Sequence, residues 1–206
     1  MAGLSPRAAH VALGTLARIC LYAPKETCMP TQAHPLEPFF HHEVTTIFEG
    51  KLGLNDPEIA GYVARVLCSF SEEDRLFIHG GRKGHTLREL TEMIAASDPV
   101  FGEAPSFDAE RAMRKYIGDY ALFVAGMLPE AIDEERVTGD RRPTLGELIR
   151  AGRESYHIVS QFNVFEYKKE SPMFARLSEL FERYVLGLAL VREELGKRIM
   201  PSERKA

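Results

Sequence analysis

Ser171–Met200 reads SPMFARLSELFERYVLGLALVREELGKRIM, and its apolar residues fall at helical spacing. Phe174, Leu177, Phe181, Tyr184, Leu188, Val191 and Leu195 alternate steps of three and four, which sets them along one side of an α-helix. Ser171 suits a cap and Pro172 a first helical position, so the spacing predicts one helix from there to about Ile199. Between Val185 and Val191 every residue is apolar or glycine, and a helix apolar all round is expected to be surrounded. Such a seam asks for neighbouring helices crossing at about 20°, as in bundles.

The segments upstream supply those neighbours. Tyr120–Leu128 is another continuous apolar run, closing a helix expected over Phe107–Leu128. Thr144 followed by Glu147 has capping-box spacing and opens a helix expected to reach about Glu170. Its buried stripe reads as Leu145, Ile149, Gly152, Tyr156 and Val159. These C-terminal helices, antiparallel, are expected to form the core, with Gly118, Gly126 and Gly187 permitting close backbone approach. Asn55-Asp56-Pro57 starts a helix to about Phe77 with the stripe Ile59, Tyr62, Val63, Val66, Leu67 and Phe70. A helix from about Pro38 to Leu52 carries Phe40, Val44, Ile47 and Phe48. Two more are expected, from Ser5-Pro6 to about Tyr22 and from near Leu87 to before Asp98-Pro99.

Strand-like alternation is nearly absent, so the fold class reads as all-α. The expectation is a single-domain multi-helix bundle of about seven helices over residues 1–206. Residues 24–38 form a proline-rich irregular arm and 129–143 a polar connection. A split near Val100–Phe107 is the fallback.

With 45% hydrophobic and 27% charged residues, the chain has enough apolar material for a true core and is not expected to be disordered. A net charge of −4 gives no overall pull toward nucleic acid or anionic membrane. Cys20, Cys28 and Cys68 are odd in number and lack C-x-x-C spacing, which argues against a disulfide framework or structural zinc. The apolar stretch Ala8–Ala23 is interrupted by His10 and Arg18 with no clean cleavage site, so a signal peptide is not expected. No apolar run approaches the roughly 20 residues of a membrane span, and a soluble cytoplasmic protein is expected.

Four groups of residues offer chemistry. Glu154-Ser155-Tyr156-His157 sets a carboxylate and an imidazole one turn apart, as paired motifs do in di-iron bundles. Here the motif occurs once, and His157 lies about 140° from the buried stripe, on a polar face. His42 and Glu49 share a helix sector and could add metal ligands, giving His42, Glu49, Glu154 and His157 as the candidate metal set. Gly81, Arg82 and Lys83 sit in a glycine-rich basic loop before a helix start, which favours anions, although Walker spacing is absent. Asp119 opens the apolar run beside Lys115, four residues back, so it reads as an ion pair or, if buried, as a group needing partners. Asn163 and Glu166 extend the stripe of the Thr144 helix with polar atoms, flanked by Ser155 and Ser160. Tyr116, Asp119, Tyr156 and Asn163 are therefore the candidate ligand-binding residues.

No nucleophile elbow or dinucleotide fingerprint is present, and no motif assigns an activity. The leading reading is a non-catalytic helical protein that binds a partner chain or a small apolar ligand, no cofactor being called for. A homodimer hiding the exposed side of the Phe174–Leu195 seam is one form of it. The alternatives are a metal- or haem-dependent bundle oxidoreductase and a nucleic-acid-binding regulator. For the regulator, Arg111, Arg114 and Lys115 are the nearest basic group, but Asp108, Glu110 and Asp119 offset them.

Overall fold

A computed structural model describes residues 34–78, 97, 106–134 and 143–199, and among them every regular element is helical. The elements are α1 (Glu37–Leu52), α2 (Pro57–Ile78), α3 (Phe107–Met127), α4 (Pro129–Glu134), α5 (Leu145–Gln161), a 3-10 turn (Phe165–Lys169), α6 (Ser171–Glu179) and α7 (Phe181–Ile199). Six of these helices have nine residues or more. The helix expected over 5–22, all but Ser97 of the one expected from near Leu87 to before Asp98, most of the 24–38 arm, and the Gly81–Lys83 loop lie outside the described residues.

Local signals in the sequence fix the ends. Asp56 accepts the Ile59 amide at 3.2 Å and starts α2 with Pro57 in its first turn. Ser106 accepts the Ala109 amide at 3.1 Å ahead of α3. Thr144 and Glu147 close a reciprocal capping box, Glu147 N–H to Thr144 Oγ1 at 3.2 Å and Thr144 N–H to Glu147 Oε2 at 2.8 Å. Gly53 ends α1 in the left-handed conformation at φ 63°, where a side chain would be strained.

The core joins α1, α2, α3, α5, α6 and α7, with α3 packed most extensively against α5. Tyr120–Gly126 is buried throughout. Gly126 lies directly on Leu188, so that a Cβ there would crowd the leucine side chain, and the two apolar runs touch. Phe174, Leu177, Phe181, Tyr184, Leu188 and Val191 are all buried in the core of the chain itself.

Four expectations are corrected. The helix opened by Thr144 stops at Gln161 instead of near Glu170. Continuing it would carry Asn163 and Glu166 inward, and burying them without partners is costly. Instead Val164 is extended, Phe165 turns at φ 48°, and both polar residues are exposed. Ser171 donates its hydroxyl to the Ser160 carbonyl and so satisfies an orphaned group of the α5 terminus. Second, the Ser171–Ile199 segment is two helices, broken at Leu180, although its buried seam runs on across the break. Third, the α5 stripe is rotated. Leu148 is fully buried, while Leu145 is exposed and Ile149 half-buried. The run Val185–Val191 is likewise not enclosed on all sides, since Leu186 is 52% exposed. Among the described residues no helix is long and apolar enough to cross a membrane.

Candidate functional site

One face of α3 is polar. Asp108, Arg111, Lys115 and Asp119 follow at steps of three and four, so they line up along the helix. Asp119, like Arg111, is buried. Its Oδ1 accepts the Tyr156 hydroxyl of α5 at 2.7 Å and also the Tyr62 hydroxyl of α2. Its Oδ2 accepts the Lys115 ammonium at 3.1 Å. That ammonium stands 5.1 Å from the centre of the Tyr62 ring.

Apolar rings hold the phenols in place. Phe174 of α6 lies edge-on to Tyr62 with centroids 5.3 Å apart, and 5.5 Å from Tyr156. Phe181 packs 5.8 Å from Tyr156 on another side. Gly118 sits against the Tyr156 ring, and a Cβ at that position would overlap it. Tyr156 is completely buried. Burial pushes the Tyr62 and Tyr156 phenols well above their usual range, and the neighbouring Asp119 charge pushes them further. Both phenols therefore stay neutral donors. Each has one proton, and each proton is committed to Asp119. Neither phenol has a proton left for a ligand. Lys115 is the most exposed member, its side chain open to solvent at the edge.

A second polar group lies nearer the surface on the same face. Tyr167 donates its hydroxyl to Asp108 at 2.9 Å. The Arg111 guanidinium covers the Tyr167 ring at 3.9 Å and pairs with Glu170 at 2.6 Å. The 3-10 turn is thereby fastened to the N-terminal end of α3. Beside this fastening stand large apolar side chains in water. Phe165 is 87% exposed, Phe107 77% and Val164 53%. Phe165 also has the left-handed backbone of φ 48°, an unfavourable conformation for a bulky side chain.

Of the candidate ligand residues, Asp119 and Tyr156 meet directly. Tyr116 belongs to another aromatic group, 5.9 Å from Phe70 and 6.3 Å from Tyr120. Asn163 is exposed beyond the end of α5. His42 and Glu49 are exposed on α1, and Glu154 and His157 on α5. Among the described residues no three His, Cys, Asp or Glu side chains gather to hold an ion. The buried glutamate of α1 is Glu43, bound to Arg198 at 2.7 Å. Sequence reasoning placed Tyr62 in an apolar stripe and missed its role. The usable signal was its hydroxyl, since a phenol in a buried stripe requires a partner. The Arg111–Tyr167–Glu170 fastening was missed as well, because it depends on the chain leaving the helix after Gln161. Comparison with known proteins adds no relative: no family model matches the sequence, no curated protein matches it, and no solved structure matches it.

Proposed function

We propose that this chain is a non-catalytic helical binding protein, and that its binding face is the edge formed by Phe107, Val164 and Phe165. The observation that carries the reading is Phe165, 87% exposed on a backbone at φ 48°. A left-handed conformation costs a bulky residue about 1–3 kcal/mol, and exposing the ring gains nothing in burial. Such strain points to a role outside the fold. The Asp119 cluster supports the same reading from the other side. Its two phenol protons are both committed to the Asp119 carboxylate, so it serves as a buried lock between α2, α3 and α5. The contacts of Gly118 with Tyr156 and of Gly152 with Ala121 run in opposite directions along α3 and α5. They support the antiparallel arrangement expected of these helices.

The test is the binding of the hydrophobic dye bis-ANS to the folded chain. The chain is expected to bind dye, and Phe165→Ser combined with Phe107→Ser to lose most of that binding with unchanged far-UV circular dichroism. Unchanged dye binding in the double variant overturns the reading.

A further inference from the structure

Resting on that binding face, we infer that its occupant is a second copy of this chain, docked about a two-fold axis. The charge around the exposed rings points to such an occupant. Asp108 and Glu166 are acidic, Lys168 and Lys169 basic, and all four are exposed. Among the described residues, Asp108 accepts the Tyr167 hydroxyl and no ion pair joins these four to one another. With Glu170 neutralised by Arg111, the described rim balances two further charges of each sign. A strongly acidic or strongly basic partner would meet like charge on half of it. A second copy meets its complement, because a two-fold interface sets the same patch against itself and lets Glu166 of one chain approach Lys168 and Lys169 of the other. The centre of the patch is aromatic and aliphatic, the composition of an interface core, and the rim is polar. Phe165 is the most exposed of the three and would be the ring that its partner covers.

The fastening beneath the patch fits this role. Arg111, Tyr167, Asp108 and Glu170 hold the 3-10 turn to α3, so the exposed rings stand on a fixed base. Pre-arranged contact groups lose less freedom on docking than mobile ones.

Sedimentation velocity of the full chain over roughly 1–200 μM, the range of a weak to moderate dimer, tests the inference. A concentration-dependent monomer–dimer shift is expected. Phe165→Asp should weaken the dimer by about thirty-fold or more, as loss of a central aromatic contact does. Glu166→Lys makes the rim mainly basic, and Lys168→Glu with Lys169→Glu makes it acidic. Each variant alone should stay monomeric, and the two mixed should form a heterodimer. Circular dichroism checks that each is folded. A wild-type chain monomeric throughout, a dimer indifferent to Phe165→Asp, or charge variants that dimerise alone but not together each overturn the inference. The dye experiment is independent of these results. Retained Phe165-dependent dye binding in a monomeric chain removes the second copy but leaves the binding face standing.

Discussion

Where α2, α3 and α5 meet, a carboxylate and two phenols lie inside the protein. At the Phe107 end of α3, two phenylalanines and a valine lie outside it. The inner group follows the rule that buried polar atoms find partners, since Asp119 takes three donors on its two oxygens. The outer group leaves apolar area uncovered and holds Phe165 in an unfavourable backbone conformation. The contrast teaches where to look in a helical protein. A cluster that satisfies itself explains the fold, and a surface that leaves its own needs unmet points to a partner.

Breaking the inner lock should have the largest effect. Asp119→Ala leaves two buried phenol donors and an ammonium without their acceptor, and should cost roughly 3–5 kcal/mol in urea unfolding. A loss below about 1 kcal/mol would show that the cluster does not hold the helices. Tyr62→Phe and Tyr156→Phe sharpen the point. The two hydroxyls share one oxygen, so their combined loss should differ from the sum of the single losses in a double-mutant cycle.

Alkaline pH probes the same lock without mutation. An unfolded tyrosine loses its proton near pH 10, whereas the raised phenols of Tyr62 and Tyr156 keep theirs in the folded chain. Their contribution is complete below that pH and declines above it, by about 1.4 kcal/mol per pH unit for each phenol still protonated. Tyr184, pushed up to about 12 by burial and then by the Asp56 charge, adds to the decline between these values. Unfolding measured at stepped pH should be flat approaching pH 10 and then fall. In Asp119→Asn the fall should end at a lower pH, because burial still raises both phenols but the Asp119 charge no longer adds to it. A fall that reaches the same pH in that variant would detach the phenols from Asp119.

Gly118→Ala tests packing at the lock and should cost about 1–3 kcal/mol through overlap with the Tyr156 ring. A neutral result would mean that the ring has room to move. At the molecular surface the effects shrink. Glu193→Ala removes an exposed pair with Lys197 at 2.7 Å and should shift stability by less than about 0.5 kcal/mol. A larger shift would place structural weight on a surface that this account treats as inert.

The sequence carried the inner region better than the outer one. The Phe174–Val191 seam is legible because helix periodicity records which side is buried, and Thr144-x-x-Glu147 because a capping box is local. Asp119 was legible as a charge facing an apolar run, and Lys115 as its partner one turn back. Tyr62 was not, because nothing local says which distant carboxylate its hydroxyl meets. Leu148 and Leu145 exchanged roles because a wheel with small residues such as Gly152 fixes its rotation poorly. The break after Gln161 was hidden because Phe162–Glu170 contains no glycine or proline to announce it. It arises from tertiary competition: the turn gains the Arg111–Tyr167 and Arg111–Glu170 contacts, and the exposed edge follows from it.

The most direct measurement is the urea midpoint of Phe165→Gly beside wild type. Glycine adopts φ 48° freely but adds freedom to the unfolded chain, so the net gain should be small, up to about 1 kcal/mol. The midpoint should rise with unchanged slope. A midpoint lowered by a similar amount would show that Phe165 serves the fold, and would contradict the assignment of this edge to binding.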